Sequence, residues 1–192
     1  MSSLDLAKFC SLPPLRLNLE RPFSIGEYTF ATDSRIIVRV PRIPDVAVPE
    51  DQTIAQKVLS LFADFDDSVL APFTPVPLPA ARTHVCDTCY GIGELKHADC
   101  PNCTGHTCHD CDGTGKGDPY GHQSGYFRGA TFDLYYWSLL QELPGLCLPR
   151  TCHEQDPLPF SFDGGVGYLM PMLGKYAEHV NIEGHVAPLV ET

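Results

Sequence analysis

The chain has 192 residues, 43% of them hydrophobic and 19% charged, with 13 basic against 24 acidic side chains and a formal net charge of −11. That length supports one good hydrophobic core with a small satellite module. The acidic balance excludes attraction to nucleic acid or anionic membrane by bulk electrostatics, leaving a local basic patch or an acidic face turned to a basic partner. The opening MSSLDLAKFC has an acid where a secretion signal would be basic, and no stretch is long and apolar enough to span a bilayer. A cytoplasmic location is therefore expected, where the nine cysteines stay reduced and clustered ones read as metal ligands before disulfides.

In chain order, residues 3–10 suggest a short helix capped by Ser3, with Leu4, Leu6 and Phe9 on its apolar side. Arg21 to Val40 predicts a hairpin: Tyr28, Phe30 and Thr32 alternate before a turn at Asp33–Ser34, and Ile36, Val38 and Val40 alternate after it. Pro41 and Pro44 end the pairing. Glu50 to Phe65 has helical period through Ile54, Val58, Leu61, Phe62 and Phe65, with Asp51 as N-cap. Residues 71–82 hold four prolines and predict an extended, semi-rigid linker.

Beyond the cysteine-rich stretch, Thr131 to Leu143 predicts a second helix, stopped by Pro144–Gly145. Phe160 to Met172 predicts a second hairpin around Asp163–Gly164–Gly165, and residues 174–192 show no dominant period. Strands and a helix thus stand on either side of the cysteines. That order predicts an α+β fold: one discontinuous domain of residues 1–82 plus 128–192, interrupted by a small insertion at 83–127.

Within the insertion, Cys86-Asp-Thr-Cys89-Tyr-Gly91-Ile-Gly93 and Cys108-His-Asp-Cys111-Asp-Gly113-Thr-Gly115 both read Cys-x-x-Cys-x-Gly-x-Gly. Two cysteines three apart turn both sulfurs onto one metal. The glycines allow the tight turn that brings backbone N–H groups towards the thiolates. Two such knuckles facing each other complete a tetrahedral zinc site from Cys86, Cys89, Cys108 and Cys111. A third pair, Cys100 and Cys103, is flanked by His97 and His106. These four offer a second set of two thiolates and two imidazoles. The competing readings are surface histidines with a capping cysteine pair, or a three-ligand site that borrows His84 or His109. Cys10, Cys147 and Cys152 sit in apolar runs and read as packed core.

The repeats at residues 84–117 resemble the cysteine-rich zinc domain of DnaJ-type co-chaperones, which carries four such repeats paired into two zinc sites. Two repeats here are complete and one is degraded, with Thr107 where its second glycine would stand. The co-chaperones' J domain, with its His-Pro-Asp motif, has no counterpart. The resemblance implies a zinc fold rather than chaperone activity.

Gly26-Glu-Tyr-Thr-Phe-Ala-Thr-Asp-Ser-Arg35 and Gly167-Tyr-Leu-Met-Pro-Met172 resemble two strands of the bacterial sliding clamp. This implies a clamp-like α+β unit, with antiparallel strands packed on two helices. The combination also resembles uncharacterised phage proteins. A clamp encircles DNA with basic residues on its inner helices, whereas the first predicted helix here has Lys57 against Glu50, Asp51 and Asp64, and the second has no basic residue.

Residues 83–127 hold Lys96 and Lys116 against Asp87, Glu94, Asp99, Asp110, Asp112 and Asp118. Two basic against six acidic side chains leave −4, the wrong sign for a phosphate-binding finger. A closed four-thiolate site leaves no open position for catalysis, and the zinc deaminase, P-loop, Gly-x-Ser-x-Gly and His-Glu-x-x-His signatures are missing. Asp33 and Arg35 read as turn residues. The expectation is a non-enzymatic zinc protein acting by protein–protein interaction, a regulator or inhibitor of host or defence machinery if the phage resemblance holds. The alternative is a clamp-derived replication accessory protein that contacts DNA or a polymerase.

Overall fold

A computed structural model describes residues 4–10, 19–49, 52–95, 105–108, 111, 113–120, 123–172 and 179–183. Its largest element is a seven-stranded antiparallel sheet. The strands, in chain order, are β1 (Phe23–Ile25), β2 (Tyr28–Thr32), β3 (Ile36–Pro41), β4 (Leu70–Pro72), then β9 (Cys147–Pro149), β10 (Leu158–Phe162) and β11 (Gly165–Leu169). They lie side by side as β1-β2-β3-β11-β10-β9-β4. A two-stranded sheet joins β5 (Glu94–Leu95) to β6 (His106–Thr107), and a three-stranded sheet is ordered β12-β7-β8, from His179–Asn181, Ser124–Phe127 and Ala130–Asp133. The helices are α1 (Gln52–Leu61) and α2 (Leu134–Gln141), with a 3-10 turn at Leu6–Phe9. The architecture is α+β, as expected.

Period-two alternation puts consecutive strand residues on opposite faces, and here each face is covered by different material. Phe23, Phe30, Ile37, Val166 and Tyr168 face α1 and pack with Val58 and Phe62. The Phe62 ring centroid lies 5.7 Å from that of Phe30 and 5.2 Å from that of Tyr168. Ala31, Ile36, Val38, Phe160 and Leu169 face the other way, onto Leu134, Trp137 and Leu140 of α2, Phe127 and Phe132 of the small sheet, and Leu6 and Phe9. The two helices therefore lie on opposite faces of the large sheet.

Both predicted hairpins are present. The first turns on Ser34–Arg35, one residue later than expected. The Asp33 carboxylate accepts hydrogen bonds from the backbone N–H of Arg35 at 2.8 Å and of Ile36 at 3.0 Å, and Ser34 takes a left-handed φ of 80°. The second turns on Asp163–Gly164, with Gly164 at φ 95°.

Other elements depart from expectation. The first helix ends at Leu61 rather than at Phe65, because residues 62–64 continue as turns; its expected cap, Asp51, lies outside the described residues. The 3-10 turn is capped by Asp5, whose side chain accepts from Ala7 N; Ser3 is outside the described residues. The second helix loses its first turn to β8, because Asp133 stays extended (φ −66°, ψ 129°) and caps the helix, accepting from Tyr135 N at 2.8 Å.

The proline-rich stretch is not a free linker. Its start is β4 in the large sheet, Phe73 N donates to Leu146 O at 2.8 Å, and Val76 N donates to the Gln141 side chain at 2.6 Å. Val76 and Leu78 pack on the main core. Proline cannot donate to a ladder, but an edge strand needs only one bonded side. At the other end, β7 falls within the 83–127 stretch yet pairs antiparallel with β8 and parallel with β12. No helix among the described residues is long and apolar enough to cross a membrane.

Candidate metal centre

The two limbs that carry the cysteines meet before the knuckles begin. Arg82 N donates to Pro119 O at 2.7 Å and Gly117 N to His84 O at 3.0 Å. An isolated bridge joins Val85 to Lys116. These contacts hold the first complete repeat opposite the second.

The Sγ atoms of Cys86, Cys89, Cys108 and Cys111 all lie within 4.8 Å of one another. Cys86 and Cys108 are 3.8 Å apart, and Cys89 and Cys111 are 3.6 Å apart. Four thiolates at about 2.3 Å from one tetrahedral zinc are separated by about 3.8 Å, so the set fits a metal of that size. A disulfide would bring two sulfurs to about 2.05 Å, and none of the four is in a disulfide. All four are buried, and together with the partly buried Leu95 they form the cluster at the centre of this region.

The surrounding backbone repeats with approximate two-fold symmetry. Cys86 N donates to Gly115 O at 2.9 Å, and Cys108 N donates to Gly93 O at 2.8 Å. Gly93 N points at Cys89 Sγ at 3.2 Å, and Gly115 N points at Cys111 Sγ at 3.3 Å. The motif glycines have two separate causes. Gly91, Gly93, Gly113 and Gly115 all have left-handed φ between 70° and 85°. In addition, a Cβ on Gly93 would lie 2.2 Å from Gly113 O, and one on Gly115 would lie 2.2 Å from Gly91 O. Each knuckle closes against the backbone of the other, so the second glycine of each has no room for a side chain.

N–H groups aimed at sulfur favour the thiolate, the form that binds metal. Burial opposes ionisation of Cys89. The Gly93 N–H, the Cys111 and Cys86 thiols and the Gly91 N–H outweigh it and bring Cys89 down to about 7. Elsewhere burial prevails: it pushes the Cys10 thiol up to about 11 and raises that of Cys152.

The expected outer set is thus brought together in full. Of the inner set, His97, Cys100 and Cys103 lie outside the described residues, and His106 is an exposed residue of β6. Among the described residues, His106 is not part of the metal-capable group. His84 is exposed beside Gly117, and His109 is outside the described residues. Cys10 and Cys152 pack on the main core, and Cys147 is a half-buried residue of β9. The Asp33 side chain supports its turn and accepts from the Tyr136 hydroxyl, whose proton is held more tightly by burial and by that carboxylate.

No family model, curated protein or solved structure matches the chain. The DnaJ-type and clamp resemblances therefore rest on the short motifs that carry them. Sequence reasoning passed over Val85, Tyr90 and Ile92, all strongly exposed on the first knuckle. The signal was present: the second knuckle has Asp112 and Thr114 where the first has Tyr90 and Ile92.

Proposed function

We propose that the chain is a zinc protein whose metal is structural and whose activity is to bind another protein, as a regulator or inhibitor of that protein's machinery. The observation that carries the metal is the set of four buried thiols within 4.8 Å, with the Gly93 N–H aimed at Cys89 Sγ and the Gly115 N–H at Cys111 Sγ. Zinc is the ion best suited to four thiolates with no redox task, and four protein ligands fill its coordination. A filled site has no position for a substrate, so the metal shapes a surface rather than performing a reaction.

Protein is favoured over nucleic acid as the partner by charge. The stretch 83–127 is acidic in sequence, and four thiolates around one divalent ion add about −2. The replication-accessory alternative is less favoured. With α1 and α2 on opposite faces of the sheet, no single surface presents both helices to a duplex, and Lys57 is their one basic residue.

Elemental analysis of the purified chain tests the metal. One equivalent of zinc, lost in Cys86→Ser and Cys108→Ser, is the expected result. Two equivalents assign a second site to the inner set. Iron in place of zinc, or neither metal, overturns the proposal. Binding to duplex DNA that weakens steeply with salt would move the function to the replication alternative.

A further inference from the structure

We infer that the tip of the first knuckle, formed by Val85, Tyr90 and Ile92, is a docking surface that seats in an apolar pocket on a positively charged protein; this deepens, and rests on, the protein-binding reading above. Tyr90 is 83% exposed and Ile92 71%, the two most exposed large hydrophobic side chains among the described residues, and Val85 is 59% exposed. Val85 stands next to the loop that carries the other two. A Cβ built on Gly91 would lie 3.3 Å from Val85 Cγ1, so the valine covers Gly91, the residue between Tyr90 and Ile92.

The symmetry of the centre supplies the control. In sequence the second knuckle has Asp112 and Thr114 where the first has Tyr90 and Ile92, and it builds the same glycine turns and N–H···S contact. The knuckle fold therefore does not require apolar side chains there. Tyr90 also has a left-handed φ of 53°, a conformation easy for glycine and tolerated by aspartate but strained for an aromatic residue. A strained, exposed tyrosine at a position where its repeat carries aspartate points to a use outside the fold.

Charge selects the occupant. The patch stands on a module that is acidic before metal and more so with four thiolates bound. Phosphate-bearing surfaces are repelled. A second copy of the chain would bring the same acidic tip, so self-association through this patch is opposed too. A protein with an apolar pocket bordered by lysine or arginine satisfies both features: tyrosine is a favoured interface anchor, and the acidic surround steers the encounter.

The test uses the full zinc-loaded chain with Tyr90 replaced by photoreactive p-benzoylphenylalanine, expressed in the cells where the chain is naturally made. The protein that cross-links is purified and titrated against native chain and against the double variant Tyr90→Asp/Ile92→Thr, which gives the first knuckle the residues of the second. The expected results are a basic partner, binding that weakens with salt, and at least a tenfold loss in the double variant with zinc content and Trp137 fluorescence unchanged. If the double variant binds as tightly as native, the docking surface lies elsewhere and the protein-binding reading survives. If Tyr90 cross-links to nucleic acid or to a second copy, the inference is overturned. If native chain forms no complex with any protein, the inference and the reading beneath it both fall.

Discussion

The body and the knuckles are stabilised by different physics. The body's main core collects fully buried Trp137, Phe127, Phe132, Phe160, Leu140 and Leu148; each such side chain contributes about 1.5–3 kcal/mol on burial. Among the described residues, the knuckles bury four cysteines and, partly, one leucine. That is too little apolar surface to offset the ordering of their backbone, and their glycines add to the entropy cost. The body can hold itself together by packing, whereas the knuckles are organised around a metal-capable set of thiols. One chain thus contains a region built on apolar burial and a region built on a metal-capable thiol cluster.

Removing the metal should separate the two most sharply. Structural zinc in small modules contributes on the order of 10 kcal/mol. A chelator, or Cys86→Ser, should therefore expose residues 84–117 to protease while leaving the fluorescence of Trp137 near its native value. Trp137 is the chain's one tryptophan, so its emission reports on the body alone. If its emission shifts with metal loss, the two regions are not independent.

The converse experiment is Trp137→Ala. Truncating this fully buried residue, packed against Phe73, Phe127 and Phe132, should cost about 3–5 kcal/mol. The expected readout is a lower urea midpoint with zinc content retained. Simultaneous loss of zinc would show that the knuckles depend on the body.

Gly93→Ala in the first knuckle and Gly26→Ala in the β1–β2 turn compare crowding with conformation. Both glycines have positive φ, but the new Cβ meets Gly113 O at 2.2 Å at position 93 and nothing within 4 Å at position 26. Gly26→Ala should cost about 1–2 kcal/mol from its backbone alone. Gly93→Ala should cost more, measured as weakened zinc affinity in a chelator competition. Equal effects would remove the close-approach argument. The smallest change is expected from Asp133→Ala, which deletes the α2 cap and should cost about 1 kcal/mol of body stability without altering metal affinity.

What was legible in the sequence follows the range of the interactions. The four metal-capable cysteines were readable because ligand spacing and glycine turns are local. The two hairpins were readable because Phe30, Ile37, Phe160 and Tyr168 sit in short alternating runs joined by turn residues. The β8–α2 boundary was missed because Thr131 and Phe132 suit either element, and the Asp133 cap decides between them. The role of β4 was hidden by its prolines. Leu70 pairs with Pro149 and Ala71 with Leu148, partners far along the chain that no local pattern names. The same holds for β12, which finds β7 in parallel register. The opposite placement of the helices depends on which face of a sheet each meets, and period alone does not say.

The pairing of β11 with β3 sets an order of assembly. Residues 36–39 lie beside residues 166–169 at the middle of the large sheet, so on the ribosome the first hairpin must wait until most of the chain has emerged. The knuckles need only the span from Cys86 to Gly117. Loop closure over that shorter distance is easier, and metal can capture it while the body still lacks its central strand. A knuckle region that binds an ion would then take its shape during synthesis before the large sheet is complete.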